Sequence, residues 1–505
     1  MKRQTKQEPA PQANGAITRR SLLQGAGLTI AASAVPSLRD LHAAKPQTTA
    51  GKSAGYVMDE LTSYTSEAAK RALPDAVAEK TKQHVLDTLA AMISGSQLPP
   101  GKAAIQFALA YGGEKVSTVA CSNILCGPIE AALTNGILAH SDETDDSHSP
   151  SETHPGCSIV PAALAVGERF GVDGAHFLRA VALGYDIGTR VTMTLGVADF
   201  QVGGRLSSHA VGGCFGSAAA GACAAGLSDR QMRWVFDYTV QQASGSTLWQ
   251  RDTDHIEKAF VFAGMPARNG VTSAMVVQSG WTGVEDVFSG PYNFLNAYLP
   301  QADPATLIEK LGERYEVTRT NFKKWTVGSP IQAPLDALEN LRKSHSFDAN
   351  EVQKVVVRIA PAEGALVNNR EMPDICLQHM VAVMLIDKTA TFRSIHDKAR
   401  MQDPAVLRLR AKVQYVPDEE LARLLPARVA IVELTLADGT VFKERVDAVR
   451  GTVENPMTRE EVVAKARDLI APVIGLSASN SLIEKVFAIE KVKDIRELRP
   501  LFQLG

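Results

Sequence analysis

The sequence predicts a mainly α protein with a large all-helical domain and a smaller α+β domain. Three observations carry this. Apolar residues recur at helical spacing through the first three fifths of the chain, alternating β-branched runs appear only after about Tyr315, and helical spacing returns after about residue 451. At 505 residues, with 45% hydrophobic content and 21% charged residues, the chain has ample core for two to three domains. Lysines and arginines number 53 against 55 acids, a net charge of −2, which gives no footprint for nucleic acid or an anionic membrane surface.

Taken in order, residues 1–44 read as an export signal and its flank. Lys2, Arg3 and Lys6 precede Thr18-Arg19-Arg20-Ser21-Leu22-Leu23, and a short apolar run ends near Leu38. Adjacent arginines before such a run resemble a twin-arginine signal, with cleavage after Ala34 or Ala43. The run is too short and polar for a good spanning helix, so a periplasmic or exported protein with no membrane contact after signal removal is expected.

The helical domain is expected over residues 55–315. Pro74 opens a helix ending at Gly95, and Pro128 opens one running to Ala139. Ala175 to Val191 repeats the helical period, as does Ser207 to Gly226, although the latter is so rich in glycine that it needs close packing by its neighbours. Ser228 and Gln231 form a capping box for a helix running to Ala243. The α+β domain is expected over 316–450, with strands Val352–Ile359, Val429–Leu436 and Val441–Val449. The last two flank the turn Asp438-Gly439, and a helix covers Cys376 to Ile386. Helices over Glu460–Ile474 and Ala478–Val486, within residues 451–505, are expected to pack back on the first domain.

The chemistry concentrates in one stretch, from His140 to Pro161. Asp142, Glu143, Asp145, Asp146 and Glu152 crowd together there with His140, His148 and His154, between two apolar helical patterns. Crowded carboxylates and imidazoles shift one another's pKa values toward neutrality, which lets a loop hold both a proton donor and a proton acceptor. The alternative is a solvated acidic loop carrying two helix caps. His209 falls in the first turn of the glycine-rich helix, where free N–H groups favour anions. Six cysteines form no metal-ligand pattern; Cys121 and Cys126 are near enough in sequence for a disulfide, though buried thiols are the commoner outcome.

These residues resemble the MmgE/PrpD family. Ala139-His140-Ser141-Asp142-Glu143-Thr144-Asp145-Asp146-Ser147-His148 is similar to the family's A-H-x-x-D-F-D-D-T-H. His154-Pro155-Gly156 and Pro161-Ala162-Ala163-Leu164-Ala165 follow it as H-P-G and P-A-A-L-A. His209 to Ala220, Lys258, Ala267-Arg268-Asn269-Gly270 and Asp403-Pro404-Ala405-Val406 match further segments. Glu143 and Ser147 stand where the family has Asp and Thr. In Lys323-Lys324-Trp325-Thr326-Val327-Gly328, which resembles K-P-Y-P-C-C, Trp325 falls at a functional Tyr, and an indole cannot relay a proton.

The resemblance implies a homodimer, no organic cofactor, no metal, and a lid formed by the α+β domain on the Trp325 side. The implied enzyme is lyase-like, of the 2-methylcitrate dehydratase type, with decarboxylation and epimerisation as related outcomes. Its substrate is a small di- or tricarboxylic acid. His154 and His209 would transfer protons, and Asp145 and Asp146 would orient the histidines and Ser147. Lys258 and Arg268 would hold carboxylates beside Glu143 and Trp325. Two other classes compete: a metal-dependent hydrolase using the histidines with Asp145 and Asp146, and an exported polycarboxylate-binding protein without chemistry.

Overall fold

In a computed structural model the described residues are 55–503, Val197 excepted. The chain divides into two units, residues 1–52 and 53–505. The arginine pair and the rest of the expected signal lie outside the described residues.

The fold is mainly α with a smaller α+β part. The elements that matter for the site are α1 (Asp75–Gly95), α2 (Pro128–Ala139), α3 (Gly156–Phe170), α4 (Gly174–Leu195), α5 (Ser208–Ala224), α6 (Asp229–Val240) and α7 (Met265–Gln278). Ser228 and Gln231 make the expected capping box at α6, which stops at Val240 rather than running to Ala243. The glycine-rich α5 is buried along its whole length. A Cβ at Gly188 of α4 would lie 2.4 Å from the Gly212 carbonyl oxygen, and one at Gly270 of α7 would lie 2.5 Å from the Ala218 nitrogen. Backbone therefore meets backbone on both sides of α5, and this contact offsets its poor intrinsic helix propensity.

After Tyr315 come α8 (Ser329–Ser344), α9 (Leu377–Asp387) and four strands, β1 (Val352–Ile359), β2 (Val413–Pro417), β3 (Ala430–Leu436) and β4 (Val441–Val446). They form one sheet in the order β2-β1-β3-β4. β1 pairs parallel with β2 and antiparallel with β3, and Gly439 takes a positive φ in the β3–β4 turn. The sheet is therefore mixed: β2 was not expected, and it lies on the edge. α10 (Arg459–Ile474) and α11 (Leu476–Phe487) follow.

Apolar side chains gather in two main cores. The larger runs from Val57 to Val317 and takes in Leu469, Ile470, Leu482, Ile483 and Phe502 again. The smaller lies between Trp325 and Val449. All six cysteines, Cys121 and Cys126 included, are free and buried. Among the described residues no helix is long and apolar enough to cross a membrane.

Candidate active site

Residues 140–155 join α2 to α3, and they are not a solvated loop. Asp142 and Glu143 are each 3% exposed and Asp145 and Asp146 each 1%; of the five acids only Glu152 is exposed. Burying that many carboxylates requires partners for each. Asp145 divides its two oxygens: Oδ2 accepts from His140 Nδ1 at 2.8 Å, and Oδ1 lies 3.3 Å from His154 Nδ1 and 3.6 Å from Lys323 Nζ. Glu143 accepts from Lys258 Nζ on one oxygen and from Lys323 Nζ, at 3.2 Å, on the other. Asp142 binds the Thr144 N–H and hydroxyl at 2.9 and 2.8 Å and lies 2.9 Å from His396 Nε2.

Asp146 points elsewhere, which corrects its assignment to the cleft histidines and Ser147. Its Oδ1 accepts from the Gly156 N–H at 3.0 Å, in the first turn of α3. Its Oδ2 accepts from the Tyr185 hydroxyl of α4 at 2.6 Å and lies 2.9 Å from His84 Nδ1 of α1. It is the pin that fixes the loop to three helices. A second pin comes from the far end of the chain. Lys465 of α10 donates to the Thr144 carbonyl at 2.8 Å and pairs with Asp87 of α1 at 2.7 Å.

Above the cluster is a cleft of about 440 Å³ whose lining includes Glu143, Ser147, His154, His209, Trp249, Lys258 and Phe262. His209 stacks on Phe262 with ring centroids 3.8 Å apart, and Trp249 meets the same ring edge-on. Lys258 Nζ lies 5.0 Å from the Phe262 centroid. Four imidazoles run in a row, His255 to His140 at 5.2 Å, His140 to His154 at 5.4 Å, and His154 to His209 at 5.1 Å. Ser147 lines the cleft with its main chain bonded both ways to Asn321. His148 is committed to Ser151 and Glu316.

Two further expected site residues are not brought to the cleft. Arg268, on α7, is not among its lining residues and donates to Asn269 Oδ1 at 2.8 and 3.1 Å. Trp325 belongs to the smaller core, where its indole N–H donates to Asp336 at 2.8 Å. The residue that reaches the acids from that segment is Lys323, two positions earlier and 2% exposed. Sequence reasoning passed over Lys323, His255, Trp249 and Phe262. Only Lys323 carried a signal, as the lysine that begins the segment resembling K-P-Y-P-C-C.

The electrostatics follow from burial and these pairs. Burial alone would raise the pKa of Glu143, but Lys258 and Lys323 outweigh it and hold the carboxyl well below its usual range. Burial likewise opposes ionisation of Asp145, yet His140, His154 and Lys323 hold it well below the ordinary value. The imidazoles move the other way from the sequence-based expectation. Burial lowers His154, with Lys323 adding to it against Asp145, and burial followed by His154, His140 and Lys258 lowers His209 well below 6.5. Burial and Lys258 take His255 down to about 3. His154, His209 and His255 are therefore neutral imidazoles at neutral pH, near Lys323, whose charged form burial opposes and Glu143 and Asp145 favour.

His140, Asp145 and His154, or His140, Glu143 and His255, are close enough to share a cation. Two ammonium groups already neutralise these carboxylates, and Asp146 is bonded elsewhere, so the charge balance suits an anionic ligand better than a divalent ion.

Fold and site define a two-part, mainly α protein with a cleft lined by His154, His209 and Lys258. The chain belongs to the MmgE/PrpD family: residues 59–307 match the MmgE/PrpD N-terminal domain and residues 325–489 the MmgE/PrpD C-terminal domain. Among curated relatives, the cis-aconitate decarboxylase of Homo sapiens is 26% identical over 85% of this chain and 91% of its own length. The cis-aconitate decarboxylase-like protein oryM of Aspergillus oryzae is 26% identical over 88% and 97%. The cis-aconitate decarboxylase of Aspergillus terreus is 23% identical over 88% and 95%.

Proposed function

We propose that the chain is a cofactor-independent lyase that breaks a bond beside a carboxylate of a small di- or tricarboxylic acid. Decarboxylation is the first reaction to test, because two of the relatives named above are cis-aconitate decarboxylases and the third is cis-aconitate decarboxylase-like. The observation that carries the reading is the placement of His154, His209 and Lys258 on one cleft over the Glu143–Asp145 pair.

Breaking a bond beside a carboxylate leaves an electron pair that must be delocalised and then protonated. Lys258 supplies positive charge where that pair develops, and a substrate carboxylate competes with Glu143 for it. Asp145 beside His154 Nδ1 favours the proton on that nitrogen, leaving Nε2 to take or give a proton in the cleft. Dehydration and epimerisation form a second reading, favoured by one feature: two imidazoles, His154 and His209, share the cleft, whereas loss of carbon dioxide needs a single proton donor.

The test is a panel of di- and tricarboxylates, cis-aconitate included, followed by NMR in deuterium oxide. Carbon dioxide release, water loss and solvent deuterium at a retained carbon separate the three outcomes. No turnover and no exchange with any of them would overturn the reading in favour of a binding protein. The homodimer and export remain part of the proposal, the first on family resemblance and the second on Arg19-Arg20. Sedimentation of the purified protein tests the dimer.

A further inference from the structure

The cleft has basic residues that the chemistry above leaves unused. Arg370 and Arg428 both line it from the segment between Trp325 and Val449, whereas Lys258, His154 and His209 come from the helical part. Arg428 donates from Nη1 to Glu363 at 2.8 Å, and Glu363 is 4% exposed, so one arm of the guanidinium is anchored. Arg370 makes only a long contact, 3.4 Å, with the Gln250 carbonyl oxygen at the cleft.

Glu363 takes up the charge of Arg428, with Glu152 near enough to feel it, whereas Arg370 meets only the Gln250 carbonyl oxygen. Glu143 is bound by Lys258 and Lys323, and Asp252 accepts the main-chain N–H groups of Lys258 and Asp254 at 2.8 and 3.1 Å. Glu152 alone remains, and its carboxylate meets Gln201 at 3.3 Å. Arg428 also borders an adjoining cavity of about 390 Å³ that reaches Lys323. A guanidinium held by one arm presents the others as a fork matched to a carboxylate.

We propose that Arg428 and Arg370 form the receptor for a second carboxylate. The site then selects acids with at least two, one held at Lys258 and another at the arginines. This rests on the reading of the cleft as a polycarboxylate site and adds which residues choose the substrate class.

The experiment is calorimetric titration of the full chain with tricarballylate and, separately, with butyrate, which has a single carboxylate. Arg428→Gln and Arg370→Gln are each expected to weaken tricarballylate binding by about 10- to 100-fold. Arg428→Lys should recover part of the loss, because it restores charge without the fork, and butyrate binding should change little. Unchanged tricarballylate affinity in both glutamine variants would overturn the proposal. So would equal losses for the two acids, or no tricarballylate binding by the unaltered protein. Arg370→Gln guards against misfolding, since its side chain makes no short contact that folding depends on. If tricarballylate binds through the arginines but no acid is turned over, the lyase reading fails and this one stands.

Discussion

Asp145 spends one oxygen on His140 and turns the other to 3.3 Å from His154 Nδ1, so a single carboxylate serves the imidazole that faces the cleft. His154→Gln is therefore expected to lose about 10²–10⁴ in turnover while substrate still binds. Lys258→Ala should weaken binding and turnover together, because the carboxylate it meets exists before and during the reaction. Near-normal turnover in His154→Gln would move proton transfer to His209. Burial lowers the His154 pKa, so the base stays neutral down to below its ordinary 6.5, and activity is lost only as pH falls through the lowered value. The acid limb of kcat/KM should lie below pH 6.5, and a limb at or above it would contradict the assignment. The composition of 140–155 made Glu143, Asp145 and His154 legible in the sequence. Asp146 misled because adjacency says nothing of direction in a turn, and Trp325 misled because the resemblance marks a segment while packing decides which side chain faces the acids.

At the scale of elements, helices were readable wherever caps and apolar period agreed, as at α2 and at α6 with its Ser228–Gln231 box. β1 was readable to the residue, because V-Q-K-V-V-V-R-I carries its β-branched run between clear ends. β2 was not: it is five residues, exposes Gln414 and ends in Pro417. The α4–α5–α7 packing gives a direct test. In Gly188→Ala the new methyl lies 2.4 Å from the Gly212 carbonyl oxygen, and backbone cannot swing aside as a side chain can. A loss of about 1–3 kcal/mol in urea unfolding is expected, and unchanged stability would show that the two helices are free to separate.

At the scale of the molecule, both parts of the fold supply walls of the cleft, and the expectation of a lid becomes a proposal of closure over bound acid. Trp325 is a poor reporter of it, being sealed in the smaller core, whereas Trp249 lines the cleft. Tricarballylate should change the emission of Trp249, and the change should vanish in Trp249→Phe but survive in Trp325→Phe. Loss of the signal in the second variant alone would reverse that placement. Export is tested by Arg19→Lys with Arg20→Lys, which should hold the protein in the cytoplasm; undiminished recovery outside it would remove the twin-arginine reading.

The tie from Lys465 to Asp87 and the Thr144 carbonyl has a consequence for biosynthesis. The acidic loop is translated in the first third of the chain, but one of the two pins that hold it is translated after nine tenths. A nascent chain still on the ribosome has Asp87 buried without its cation, a costly state that leaves the loop unset. The loop is therefore expected to set only at the end of synthesis, and a chain released before Lys465 lacks this pin.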